Sequence, residues 1–474
     1  MDRVRTGRVL PLALGVVAWA ALGSAQEVRQ GKVVEVYAER CAACHGDSLQ
    51  GGQAKSLLDD VWRFGGDDAS VTASIRDGRL DAGMPPFGAL MSEQEIRALV
   101  IFVRERADEA RRAQTSFAKP VGDVVVKSRE HAFRVETVTE GLETPWALDF
   151  LPDGRMLVTE KAGRLRVVEN GRLLPQPVAG VPTVWAVGQG GLLDVGVHPG
   201  YATNGWIYLS YSDPGPEGSA MTRVVRARLK DGALADQEVL YQAPVELYRK
   251  GEFHFGTRFV FDQGYLFFSI GERGHKEDAQ DLARPNGKVH RIRDDGRVPE
   301  DNPFVKTPGA LPTIWSYGHR NPQGLAKSPA TGALYDAEHG PRGGDELNLV
   351  LPGRNYGWPV ITYGMNYDGT PITELTAKPG MEQPVTWWTP SIAVCAIDFY
   401  HGARFPRWAN DLLVSSLAAE ELRRLRLDGA RLVDQEVLFK GIGRIRDVVV
   451  GPDGLVYVAL NTPDRIARLV PVAE

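Results

Sequence analysis

Near the N-terminus apolar residues fall at helical spacing in two short stretches. Val33, Val34, Tyr37 and Ala38 predict a helix that ends before Cys41, and Ile96, Leu99, Val100 and Val103 predict a second. Ser92 and Glu95 stand three residues apart just ahead of the second run, the spacing of a capping box. From His131 to Glu474 the pattern changes to short apolar strands separated by turn signals. Phe150-Leu151-Pro152-Asp153-Gly154-Arg155-Met156-Leu157-Val158 returns near the end as Val450-Gly451-Pro452-Asp453-Gly454-Leu455-Val456-Tyr457-Val458. Weaker echoes are His198-Pro199-Gly200 before Trp206–Leu209, and Phe261–Gly264 before Tyr265–Phe268. Each unit reads strand, tight turn, strand, as in repeated four-stranded blades.

The expected fold is therefore mainly β: a six-bladed β-propeller, with about 57 residues per blade, preceded by a small all-α domain. The kinship of the first and last units predicts a ring closed by joining its ends. A β-sandwich is the competing architecture, but this many repeats would overfill it. The stretch from Ala113 to Glu130 lacks periodicity and reads as a linker that keeps the two parts close without fixing them rigidly.

The first residues carry an address. Arg3, Arg5 and Arg8 precede an uncharged run from Val9 to Gly23, and Gly23-Ser24-Ala25 offers small residues for cleavage. This is the pattern of a secretory signal, with an uncleaved membrane anchor as the alternative. The run is shorter than the ~20 apolar residues that span a bilayer. The reading divides the chain into a signal (1–25), a small helical domain (26–112), a linker (113–130) and the propeller (131–474). It places the mature protein in the periplasm or outside the cell, with no integral membrane domain.

Composition narrows the functions. Lys plus Arg total 55 against 60 Asp plus Glu, a net charge of −5 over 474 residues, which argues against a nucleic-acid partner. Three cysteines cannot build a disulfide framework. Cys395 alone in a strand reads as a buried free thiol.

Cys41-Ala42-Ala43-Cys44-His45 fits the C-x-x-C-H pattern of covalent haem attachment. Two thiols one helical turn apart reach the two vinyl groups of one porphyrin, and the next residue places an imidazole under the iron. A thioether as second ligand favours Fe(II), and Met84 in the loop Gly83-Met84-Pro85-Pro86 supplies one, with Met91 as competitor. A redox C-x-x-C or half a zinc site is the alternative. No second C-x-x-C exists, and the preceding residues read as helix rather than as part of a βαβ unit. The stretch Gln30–Arg112 resembles a class I cytochrome c.

In the propeller the chemistry must come from polar residues that a core would not want. Glu252-Phe253-His254-Phe255-Gly256 sets one His between two aromatics, and burial there would keep it neutral, as a general base requires. Glu272, just after the strand Tyr265–Ile270, is placed to orient it; a structural buried His is the alternative. Gln189-Gly190-Gly191, Gly318-His319-Arg320-Asn321-Pro322 and Arg444-Ile445-Arg446-Asp447 gather amides and cations. Arg444 and Arg446, two apart on a strand, repel one another unless an anion or acid lies between them. Together these stretches predict a pocket for an anionic, hydrogen-bonding ligand; separately each would read as a surface ion pair.

Thr144-Pro145-Trp146-Ala147-Leu148, GQGGLLDVGVHPGY from Gly188, GHRNPQGLA from Gly318, EHGPRGGDELN from Glu338, NYGWP from Asn355 and RIRDV from Arg444 resemble the soluble quinoprotein glucose/sorbosone dehydrogenases, particularly the aldose sugar dehydrogenases. That resemblance implies a six-bladed propeller carrying pyrroloquinoline quinone (PQQ) and calcium. It implies His254 as the base for the sugar's anomeric hydroxyl, and Gln189, Arg320, Asn321, Arg444 and Arg446 as residues that hold PQQ. It further implies the carbonyls of Gly340 and Pro341 on the calcium at PQQ, Glu346 and Tyr356 at a second, structural calcium, and Trp388 as a substrate-side aromatic. Three positions depart from the soluble glucose dehydrogenases: Glu272 replaces Asp, His339 replaces Gln, and Ala418 stands where a PQQ-contacting Lys is found.

The expected activity is oxidation of an aldose, or a related alcohol or aldehyde, at C1 to the lactone. PQQ takes the hydride, and the electrons pass to the protein's own haem c and on to a cytochrome or oxidase. Two rivals are a calcium-dependent propeller lactonase or other hydrolase, and a non-catalytic sugar-binding propeller, each fused to an electron-carrying cytochrome.

Overall fold

The computed structural model describes residues 31–59, 61–114, 119–120 and 122–472, so the expected signal segment lies outside the described residues. The helical part opens with Gly31–Arg40, which leads directly into the single turn Ala42–His45. Helix Asp68–Asp77 and the long helix Glu93–Gln114 complete it. The long helix begins as its sequence dictates: Ser92 N donates to Glu95 Oε2 at 2.9 Å, and Glu95 N donates back to Ser92 Oγ at 3.2 Å. Ile96, Leu99, Ile101 and Phe102 of this helix pack on Val33 and Tyr37 of the first. Among the described residues no helix is long and apolar enough to cross a membrane.

The remainder forms six antiparallel sheets, one per blade. The innermost strands are Pro145–Phe150, Leu192–Val197, Phe259–Asp262, Pro322–Lys327, Val394–Phe399 and Arg444–Val450. They crowd the axis closely: a Cβ on Gly324 would lie 2.4 Å from the carbonyl oxygen of Cys395 in the next blade. The ring closes as its repeats predict. Strand Ala132–Glu140, from the start of the propeller, pairs with Arg465–Pro471 as an outer strand of the last blade. Hydrogen bonds along that seam join the two ends of the ring.

Pairing of the innermost strand slips near its first residues in five blades, at Pro145/Ala147, Leu192/Val195, Pro322/Gly324, Val394/Ile397 and Ile445/Asp447. An extra residue at such a point bends the strand and re-aims its side chains. The third blade has no such slip; there the loop 251–258 precedes its inner strand. One end of the ring is thus specialised in every blade. Near that end, buried Arg258 bridges Asp194 at 2.9 Å and Asp447 at 3.2 Å, and also donates to Arg446 O at 2.9 Å.

Both flanks of the expected linker are described. The long helix runs to Gln114, and Val126–Lys127 already pairs with Ala132–Phe133 in the last blade. The two parts also share a core, because Met365 of the propeller lies in the helical domain's apolar cluster. Composition reports a stretch's local propensity, whereas this docking is decided by residues far away in sequence.

Candidate functional site

The specialised end gathers the residues singled out from the sequence. His254 sits on the loop between the second and third blades at φ +56°, in the left-handed region. Backbone held there is strained for a residue with a Cβ and persists only where its surroundings over-determine it. They do so here. Gln189 Oε1 accepts from His254 N at 2.9 Å, and Arg273 donates to Gly251 O at 2.7 Å and to Phe253 O. Arg273 is fully buried, with its guanidinium 3.3 Å from the centre of the Phe255 ring; burial lowers its pKa to about 9. Nothing local in the sequence marks Arg273 as the clamp of this loop.

His254 Nδ1 lies 2.8 Å from Glu272 Oε1. Burial and the charge of Arg320 hold the imidazole below its usual pKa, and they outweigh the opposing pull of Glu272. Burial pushes the Glu272 carboxyl up, but the His254 bond, the neighbouring positive charges and the Gly274 amide carry it below its usual range. The result is an ionised carboxylate orienting a neutral imidazole. Gly271 must be glycine, since a Cβ there would meet Asn321 Oδ1 and His254 O, each at 2.5 Å.

Asn321 Oδ1 accepts from Gly256 N at 3.2 Å, tying the innermost strand of the fourth blade to the His254 loop. Arg320 Nη1 donates to His339 O at 2.9 Å and to Gly340 O at 2.7 Å, while its buried Nε has no partner. Gly340 N is held in turn by Asp345 at 2.8 Å. Arg446 Nη1 bonds Gln323 at 2.8 Å and its buried Nε is likewise unpartnered. Among the described residues no carboxylate pairs with Arg320, Arg444 or Arg446. His339 records how these charges converge: burial and the positive charges of Arg446, Arg320 and Arg444 drive its pKa far down, and its Nε2 has no partner. Several cations with unpartnered donors and no paired carboxylate fit a ligand bearing several carboxylates, and PQQ is a tricarboxylate.

Two placements differ from the sequence reading, and one departure from the family stands. His319, expected beside Arg320 in the anion pocket, is fully buried and faces the other way. Its Nδ1 lies 3.1 Å from Asp336 and 3.3 Å from Glu338, its Nε2 meets Ser316 Oγ at 2.9 Å, and Tyr356 stacks on it at 4.5 Å. The loop between two strands parts the neighbours: Arg320 turns to the carbonyls of His339 and Gly340, and His319 to the acids. Trp388, expected on the substrate side, is 6% exposed in the core between the fourth and fifth blades, and the exposed ring is Trp387, stacked on Tyr363 at 4.0 Å. Ala418 is exposed on its turn, so no cation is supplied there.

Asp336 and Glu338 were not singled out by sequence reasoning, yet with Glu346 they form a nest of carboxylates around His319. Burial pushes Asp336 up to about 6, and burial with its acidic neighbours raises Glu346 further above its normal value. His319 resists burial through these acids and is raised to about 9. Asp336 Oδ1 and Asn348 Oδ1 are buried without hydrogen-bond partners, and Asp336 Oδ2 faces His319 Nδ1. Three carboxylates against one imidazolium, with spare oxygens, suit a hard dication. The alternation of acids at positions 336 and 338 on one strand face was the available signal.

In the helical part, Cys41 and Cys44 are free thiols bracketing one turn. His45 Nδ1 lies 3.3 Å from Lys55 O, which leaves Nε2 for a metal. Met84 is pinned by a pair of backbone bonds with Arg79, at 2.8 and 3.0 Å. Met91, the competing thioether, is a core residue at 7% exposure. This donor set, two thiols, an imidazole and a thioether, is of the kind that would hold a covalently attached haem.

Comparisons agree with this layout. Residues 142–468 match the family described as glucose/sorbosone dehydrogenase, and residues 27–103 match that of subunit III of cbb3-type cytochrome c oxidase. Aldose sugar dehydrogenase YliI of Escherichia coli is 44% identical over 331 residues, covering 68% of this chain and 89% of the relative. The apo form of the soluble aldose sugar dehydrogenase from Escherichia coli superposes with a TM-score of 0.68 at 41% identity, over 72% of this chain and all of that one. The PQQ-bound aldose sugar dehydrogenase of Streptomyces coelicolor gives 0.59 at 28% identity, over 72% of this chain and 98% of that one. The family match over most of the propeller, the 44% identity to an aldose sugar dehydrogenase and the cytochrome match ahead of them make this chain a member of the glucose/sorbosone dehydrogenase family of oxidoreductases, fused to an N-terminal cytochrome c domain.

Proposed function

We infer that the protein oxidises the C1 hydroxyl of an aldose to the lactone and passes the electrons to its own haem. The observation that carries this reading is the His254–Glu272 pair, at 2.8 Å, set beside guanidinium groups that have no carboxylate partner. PQQ, when bound, supplies a two-electron acceptor for the hydride from C1. Arg320, Arg444, Arg446, Asn321 and Gln189 would hold its carboxylates and ring oxygens. Gly340 and Pro341 would offer carbonyls to a calcium ion, which acts there as a Lewis acid. His254, neutral at Nε2, takes the hydroxyl proton as the hydride departs, and Glu272 stabilises the imidazolium so formed.

Cys41, Cys44, His45 and Met84 would hold one haem c, a one-electron carrier, so each sugar requires two successive reductions of that haem. The signal-like N-terminus and the C-x-x-C-H motif together support a periplasmic site of action, with a cytochrome or oxidase as the onward acceptor. Glu346 and Tyr356, beside the acidic nest at His319, would bind a second, structural calcium. The exposed Trp387 suits the substrate side better than Trp388.

The test is to load purified full-length protein with PQQ and Ca²⁺, add aldoses, and follow the haem absorption band. Sugar-dependent haem reduction supports the reading. No reduction with any aldose, in protein shown to contain both cofactors, overturns it.

A further inference from the structure

The long helix of the haem domain does not merely hang beside the propeller. Arg97, Ile101 and Glu105 succeed one another at four-residue steps on one helix face, and all three meet loops of the fourth blade. Arg97 donates to Thr362 O at 3.2 Å and lies 5.6 Å from the centre of the Tyr363 ring. Ile101 lies against Gly343, where a Cβ would sit 3.4 Å from its Cγ2. Glu105 takes bonds from Arg342 at 2.6 and 3.0 Å, both side chains being about nine-tenths buried. Met365, 1% exposed, is inserted among Val33, Tyr37, Leu99 and Phe102, and exchanges two backbone bonds with Arg342 at 3.0 Å each. Lys32 N donates to Asp368 O at 3.2 Å.

Taking two charges out of water is costly unless the geometry around them is maintained. A bidentate pair buried beside a continuous apolar cluster belongs to a contact that stays closed, unlike the wetter, more polar contact of domains that move independently. Its location gives it a consequence. Arg342 and Gly343 lie in the run Gly340-Pro341-Arg342-Gly343-Gly344, the same run that carries the two carbonyls read above as calcium ligands. Asp345 holds Gly340 N, and Trp388 O accepts from Gly344 N at 2.9 Å. Between those two anchors the haem domain grips the middle of the run.

We propose that Glu105 and Arg342 form a dock that couples the seating of the haem domain to the cation and cofactor site of the propeller. The coupling half of this proposal rests on the reading of Gly340 and Pro341 given under Proposed function. One five-residue run carries both sites, Arg342 and Gly343 for the dock and Gly340 and Pro341 for the cation, so each binding event stabilises the backbone conformation that the other needs, and the effect is reciprocal. Glu105 touches neither substrate nor cofactor and acts as a positioning residue.

The experiment uses the full-length, haem-loaded protein in three forms: wild type, Glu105→Lys, and the swapped pair Glu105→Arg with Arg342→Glu. Small-angle scattering reports the docking, and Ca²⁺-dependent PQQ binding is followed by fluorescence. Glu105→Lys is expected to enlarge the radius of gyration and weaken PQQ binding about tenfold, with the haem spectrum unchanged, and the swap to restore both. Should Glu105→Lys disturb the haem spectrum, Glu105→Gln supplies the same comparison with less disruption. Wild-type scattering from the charge-reversed or neutral variant overturns the dock. Undocked protein with unaltered PQQ affinity overturns the coupling. A wild type that scatters as a docked pair but binds no PQQ overturns the functional reading and the coupling, and leaves the dock standing.

Discussion

Glu272 Oε1 lies 2.8 Å from His254 Nδ1, and that contact sets the tautomer of the imidazole. An ionised carboxylate only accepts, so Nδ1 carries the proton and Nε2 keeps its lone pair. Replacing His254 with Gln or Ala is expected to lower sugar-driven haem reduction by about 10²–10⁴-fold, the range of general-base catalysis. Haem content and PQQ binding should stay as in wild type. Stopped-flow absorbance of the haem band checks the rate, and retained reduction would show that a different base acts.

Glu272→Gln removes the charge that stabilises the imidazolium and permits the wrong tautomer. It is expected to lower kcat by about 10²-fold with little change in KM, while Glu272→Asp, with a shorter reach to His254, should fall between the two. Steady-state kinetics with an artificial dye acceptor separates this effect from the haem.

The pH dependence follows from the direction of the His254 shift. Burial and Arg320 hold its folded pKa below the usual 6.5, so it stays neutral as pH falls through that value. Activity should therefore be level from pH 8 to about 6.5 and decline only at lower pH. Stability moves the same way: below the unfolded pKa the unfolded chain takes up a proton that the folded site refuses, so this group disfavours folding as pH drops. Arg320→Gln, measured at saturating PQQ, should move the acid limb of kcat/KM toward higher pH, because one positive charge has gone.

The nest of Asp336, Glu338 and Glu346 around His319 holds more negative than positive charge in the core. Chelation of divalent cations is expected to lower Tm by about 5 °C, as for loss of a ligand held well above its Kd. In Glu346→Gln the chelator should have a smaller effect. Differential scanning calorimetry with and without EDTA decides, and an unchanged Tm in wild type would argue against a structural dication.

Ala418 is exposed on a turn at the same end of the ring as Arg444 and Arg446. Ala418→Lys has room for its side chain and should tighten PQQ binding roughly two- to fivefold, the modest gain of a partly solvated charge contact. Titration of apo-protein with PQQ measures it directly.

Much of this protein is written in adjacent residues. The haem motif is legible because two thiols and an imidazole must lie within one turn, and spacing alone encodes that. Ser92 and Glu95 announce the helix they cap because a capping box closes over three residues. The repeated strand–turn units reveal the blades, and the likeness of first and last units reveals the closure, since each blade is one local pattern copied round a ring. The cations of the pocket are conspicuous because a core tolerates no unpaired charge.

What adjacency does not carry is direction and distant partnership. Neighbours His319 and Arg320 share one turn in the sequence yet end in opposite environments, because the loop between two strands sends one to the buried acids and the other to the carbonyls of His339 and Gly340. Arg273 becomes the clamp of the His254 loop only when Gly251 and Phe253, some twenty residues earlier, fold back against it. The seating of the haem domain depends on Glu105 meeting Arg342 across 237 residues of chain. Local propensity is blind to such contacts, since each is chosen by which surfaces the finished ring brings face to face, and burial then makes the pairing obligatory.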